Sequence, residues 1–169
     1  MYIKKEELSV LKDLFIKEPQ WVTYGLFFGF PICCIKDFIE TPFDKRKYYK
    51  KGKHTGTGYI PCSKCIAPIN ENWSLFQKNI KKRRISPTPF PIDDDHPSIN
   101  YFFIYLTDVF QLNITNYMEY FHRNEEISVI LKNNNYENEI IKIKTKFKFY
   151  KERKIKNSIT NVIHNWSTT

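Results

Sequence analysis

Only four cysteines occur among the 169 residues, Cys33, Cys34, Cys62 and Cys65, and no others lie outside that stretch. So few thiols exclude the disulfide-dense scaffold of a small secreted domain, and their crowding points to one shared site. Long apolar runs are missing too. The most apolar part, residues 98–122, is interrupted by Asp108 and is too short for a membrane span, so no membrane partner is expected. Near the N-terminus, Lys4, Lys5, Glu6 and Glu7 break any run that a secretory leader would need, which gives the expectation of an intracellular protein, cytoplasmic or nuclear. Thiols stay reduced in those compartments, and paired cysteines there favour a metal over a disulfide. A glycine-rich phosphate cradle is also absent. Gly56 and Gly58 stand without a preceding strand or a third glycine opening a helix, so they read as turn residues.

What is present argues for a folded chain. Hydrophobic residues make up 41% and aromatics 17%, enough to exclude a disordered tail and to build one substantial core. The expected fold class is α+β: a mostly helical small domain with a cysteine-rich zinc site and a C-terminal β-hairpin. One domain, 1–169, would divide into a zinc-bearing helical half, 1–85, and a half over 98–169 holding an apolar helix and a basic hairpin. Residues 86–97, set by prolines, would join them as a stiff connector. The heavy use of Lys, Ile, Asn, Tyr and Phe resembles coding by an AT-rich genome, as in some large DNA viruses, protists and low-GC bacteria.

The cysteines form two pairs of different character. Cys62-Ser63-Lys64-Cys65 is a Cys-x-x-Cys, which on a tight loop turns two sulfurs toward one tetrahedral ion. Cys33 and Cys34 follow Gly29 and Pro31 and precede an apolar stripe of Ile35, Phe38 and Ile39, so they fall in the first turn of a helix. The positive end of that helix favours thiolate, the form that a metal requires. Neighbouring helical positions point about 100° apart, so one of Cys33 and Cys34 is the expected ligand and the other doubtful. His54, eight residues before Cys62, is then the best fourth ligand. A structural zinc is the expected cofactor, ahead of an iron–sulfur cluster.

The net charge of +9 is unevenly distributed. Residues 42–85 carry a net +10 and 132–169 a net +6, whereas 86–131 carry −6. Positive charge thus brackets the cysteines, the distribution of a protein that binds a polyanion. Lys45, Arg46, Lys47, Lys50, Lys51 and Lys53 would grip phosphates while Tyr48 or Tyr49 stacks on a base, and Lys81, Lys82, Arg83 and Arg84 form a second basic run. Further along, Ile127, Val129 and Leu131 alternate, Asn133, Asn134 and Asn135 suggest a turn, and Ile141, Ile143, Phe147 and Phe149 alternate with Lys142, Lys144, Lys146 and Lys148. That pattern predicts the hairpin, with four lysines along one face that would add to the nucleic-acid-binding surface.

These residues point to a zinc-stabilised nucleic-acid-binding protein, with DNA and RNA not distinguished and protein partners allowed. Two enzymatic readings stand beside it. In one, the same cysteines carry out thiol–disulfide exchange, although Pro61 before the pair and Pro68 after it argue against the usual strand-to-helix setting. In the other, Asp93, Asp94, Asp95 and His96 hold a catalytic metal for phosphodiester hydrolysis. A structural or virion scaffold component is a further reading. No catalytic residue is assigned.

Overall fold

The computed structural model describes residues 5–45, 52–86, 98–133 and 138. Seven α-helices account for most of them: α1 (Lys5–Lys17), α2 (Pro19–Phe27), α3 (Ile32–Glu40), α4 (Ser63–Glu71), α5 (Trp73–Arg83), α6 (Ser98–Val109) and α7 (Asn124–Lys132). Single 3-10 turns lie at Phe43–Lys45, Ile114–Asn116 and Met118–Tyr120. None of the described helices is long and apolar enough to cross a membrane.

Helix α2 organises the packing. Pro19 starts it at a position where a missing N–H costs nothing, and Val22, Thr23, Leu26 and Phe27 are all buried. It packs against α1, α3 and α6, and the main core gathers around it: Leu11, Leu14 and Phe15 from α1, Ile35 from α3, and Phe102, Phe103 and Leu106 from α6. The rings interlock, with Phe15 and Phe103 stacked at 5.7 Å and Phe103 and Phe121 at 4.5 Å.

The end of α2 sets up the cysteine site. Gly29 has φ +80°; the Phe30 N–H returns to the Gly25 carbonyl at 2.8 Å and the Gly29 N–H to Leu26 at 3.2 Å, closing a Schellman motif. A Cβ on Gly29 would lie 2.6 Å from the Ile80 carbonyl, so this turn is also where the end of α5 approaches. The Phe27 carbonyl accepts from Ile85 at 2.9 Å and from Ser86 at 3.0 Å, fastening the chain after α5 to α2.

The α+β expectation is overturned. Among the described residues there is no strand, and no C-terminal β-hairpin is found. The first proposed strand is the middle of α7, where Ile127 is fully buried but Val129 is 57% exposed. A strand would put those two on one face; a helix puts Ile127 with Ile130 and Leu131, which is the side that meets the core. Glu125 and Glu126 in the first turn and Lys132 in the last complement the helix dipole, which tips the short apolar run toward helix. The return strand, with Lys142, Lys144, Lys146 and Lys148, lies outside the described residues, as does most of the 86–97 connector.

Candidate metal centre

Both cysteine pairs sit at helix N-termini. Pro31 caps α3, so Cys33 and Cys34 occupy its second and third positions. Cys62 caps α4 and Cys65 occupies its third position, with the Cys65 N–H returning to the Cys62 carbonyl at 3.0 Å. The Cys-x-x-Cys therefore opens a helix instead of lying on a free loop. Pro68 stands inside that helix. It removes the bond to the Lys64 carbonyl, yet the Asn72 N–H still reaches Pro68 at 3.0 Å and the helix continues to Glu71. Asn72 then caps α5, its side chain accepting from the Leu75 N–H at 3.0 Å.

The four sulfurs all lie within 4.8 Å of one another. The Cys33 Sγ is 3.6 Å from Cys65 and 3.9 Å from Cys34. A tetrahedral ion with Zn–S bonds of about 2.3 Å holds its sulfurs about 3.8 Å apart, so the spacing fits one ion. All four thiols are free, and a disulfide needs about 2.05 Å. Both sulfurs of the adjacent pair stand in the group, the doubtful ligand included, and a local reason allows it. In the interior of a helix the preceding turn blocks one χ1 rotamer, but at the second and third positions there is no preceding turn, and each sulfur can swing inward. The fourth place in the cluster is thus taken by sulfur. His54 stands outside that group, half-buried in the 52–58 loop with its Nδ1 unpartnered.

The setting is apolar. Cys34, Tyr59, Cys62 and Ile69 form a small buried cluster separate from the main core, with Phe30, Trp73, Phe76 and Ile80 packed on it. The Tyr59 hydroxyl is 2.9 Å from the Cys34 sulfur, and the Cys62 N–H donates to that sulfur at 3.4 Å. Hydrogen bonds from Cys33, and then from Cys34 and Cys65, hold the Cys62 thiol far below its ordinary value. The hydrogen bond from Cys34 also lowers Cys33. Burial pushes Cys34 well up, and hydrogen bonding with Cys33 raises Cys65. The four thiols thus shift one another in opposite directions, Cys33 and Cys62 down and Cys34 and Cys65 up, around the protons they hold. An ion entering the cluster would displace those protons. Burial and the nearby sulfur charges keep the Tyr59 phenol protonated.

The basic residues divide sharply. Arg83 is only 3% exposed and its Nε donates to the Gly29 carbonyl at 3.2 Å. Burial lowers its pKa, while negative charge on the nearby sulfurs would oppose that fall, so Arg83 is an interior cation placed near the cysteine cluster. Arg84 is half-buried and its Nε donates to the Ser86 carbonyl at 3.2 Å. Lys81, Lys82, Lys45 and Lys53 are exposed, with the Lys53 ammonium donating to the Asn70 carbonyl at 3.2 Å. The basic run 81–84 is thus two surface lysines followed by two arginines tied to backbone carbonyls. Nothing in the run itself distinguishes them; the signal is the distant Gly29, whose buried carbonyl needs a donor. Arg46, Lys47, Tyr48, Tyr49, Lys50 and Lys51 lie outside the described residues, as do Asp93, Asp94, Asp95 and His96.

No protein-family model, no curated protein and no solved structure matches this chain.

Proposed function

We propose that the chain is an intracellular, zinc-stabilised nucleic-acid-binding protein in which the ion is structural. The observation that carries the zinc part is the convergence of four sulfurs, from two helix N-termini, at single-ion spacing. Four sulfur ligands close a tetrahedral shell and leave no open position for substrate, which separates a structural from a catalytic zinc. The ion would fix α3 to α4 and hold the basic 42–85 segment, net +10, across the closed loop. Support for the polyanion part is that charge, with Lys45, Lys53, Lys81 and Lys82 presented to solvent.

Metal analysis of protein purified without added ions tests the first part. About one zinc per chain supports it; visible absorption from an iron–sulfur cluster would refute it. Thiol–disulfide exchange keeps one favourable observation, the helix following Cys-x-x-Cys, and metal-free protein with a rapidly exchanging disulfide would establish it instead. The second part is tested by oligonucleotide affinity against salt, single- and double-stranded. A flat salt dependence, or one unchanged when Lys45, Lys53, Lys81 and Lys82 are replaced by Gln, would abandon it.

A further inference from the structure

Beside the sulfur cluster lies a cavity of about 350 Å³ that the metal reading does not use. Trp21 and Tyr24 of α2 and Cys34 and Phe38 of α3 line it, with Gln20 and His122 contributing polar groups. Its volume is at the small end of the range for ligand sites, roughly 300–1,000 Å³, enough for one or two fused rings.

Three features define what fits. The first is an aromatic surface left partly open: Trp21 is 43% exposed and meets Phe38 edge-on at 5.3 Å, an arrangement that offers ring faces to a planar guest. The second is a fixed polar edge. His122 stacks on Tyr24 at 5.5 Å and its Nε2 lies 2.9 Å from the Tyr24 hydroxyl, while the Gln20 amide supplies both a donor and an acceptor. The third is the absence of formal charge: among the described residues that line the cavity there is no Asp, Glu, Lys or Arg. An anionic head would find no counter-charge among those described residues. An aliphatic chain would fill the volume but leave the amide and imidazole unused.

We propose that this cavity takes a nucleobase, stacked against Trp21, bordered by Phe38 and met along its edge by Gln20 and His122. The base belongs either to a free nucleoside or to an unpaired position in a bound strand, and the second source rests on the nucleic-acid reading above. The cavity shares Cys34 with the sulfur cluster, so an ion that fixes α3 also fixes one wall of this pocket.

The zinc-loaded full chain is titrated calorimetrically with adenosine, uridine, indole and short A and U homopolymers, alongside Trp21→Ala, Gln20→Leu and a variant with Lys45, Lys53, Lys81 and Lys82 changed to Gln. Trp21 and Gln20 are surface-accessible, and circular dichroism verifies that their variants fold. Trp21→Ala is expected to weaken nucleoside binding about 5- to 150-fold, the range for loss of one base–aromatic stack. Gln20→Leu should lower affinity for nucleosides without lowering it for indole, and the lysine variant should leave nucleosides unaffected while weakening the homopolymers. Salt-dependent homopolymer binding indifferent to Trp21 and Gln20 would overturn the pocket and spare the nucleic-acid reading. Trp21-dependent nucleoside binding without homopolymer binding would do the reverse. Indole binding as tightly as adenosine, or no binding of any probe, would overturn the base assignment.

Discussion

Cys33 and Cys65, each near the start of a different helix, hold their sulfurs 3.6 Å apart. The two pairs pack into a small buried cluster with Tyr59 and Ile69, whereas the main core, built largely of Leu, Ile and Phe side chains, contains no cysteine. Metal removal should therefore act locally. Chelation is expected to strip about one zinc per chain and to lower hydrogen-exchange protection in residues 63–83 on the order of 100-fold, while amides of α2 and α6 stay protected. Cys62→Ser should reproduce this without chelator. Uniform loss of protection across all helices would show that the ion holds the whole fold.

Helices α2 and α6 end in the same backbone motif with different residues at its left-handed position. After α2 that residue is Gly29, φ +80°; after α6 it is Gln111, φ 55°, with the Leu112 N–H reaching the Thr107 carbonyl at 2.9 Å. A side chain in that conformation costs about 1–2 kcal/mol. Gln111 is exposed, so Gln111→Gly loses no packing and should raise stability by roughly 0.5–1 kcal/mol in urea unfolding. Gly29→Ala should do the opposite by more than about 2 kcal/mol, because strain adds to the clash with the Ile80 carbonyl.

Arg83 and Lys82 are neighbours with opposite roles. Arg83→Met would leave the Gly29 carbonyl without its donor and remove positive charge from beside four sulfurs. The expected cost is about 1–3 kcal/mol in stability and roughly 10- to 100-fold in zinc affinity, read by competition with a chromophoric chelator. Lys82→Met, at an exposed position, should change stability by less than about 0.5 kcal/mol. Equal zinc affinity in Arg83→Met and wild-type protein would show that the guanidinium serves packing alone.

The parts of the structure that could be read from the sequence were those specified by local chemistry. Leu8, Leu11, Leu14 and Phe15 mark α1 by period alone, and Asn70 or Asn72 offers a cap for a helix over 70–84, of which Asn72 is the one that caps α5. The four cysteines declare a site by their scarcity. Two elements misled because a local rule was overridden. Pro68 looks like a stop, yet one lost hydrogen bond in a helix anchored at its start by two cysteines is tolerated. Ile127, Val129 and Leu131 satisfy a strand period, but over so short a run the helical period fits as well, and contact with the core chose between them. The burial of Arg83 and the aromatic cavity left no local trace at all. Each depends on segments far apart in the chain, α5 against the Gly29 turn and α2 against α3 and His122.

The attachment of α7 should respond to acid. The buried Asn100 of α6 donates its Nδ2 to Glu126 at 2.6 Å, and the Arg123 Nε donates to the same carboxylate oxygen at 2.7 Å. Hydrogen bonding to Arg123 holds the Glu126 carboxyl below its ordinary value, with Asn100 adding to the effect. A depressed carboxylate contributes stability that is present above the unfolded value, near ~4.3, and is lost as pH falls through the folded one. Because the Glu126 side chain is 51% exposed, solvent screening limits the contribution to about 1 kcal/mol or less. Wild-type protein should therefore lose stability more steeply than Glu126→Gln between about pH 5 and pH 3, measured by urea unfolding at each pH. Parallel curves for the two proteins would show that the Asn100 contact, not the charge, fastens α7 to α6.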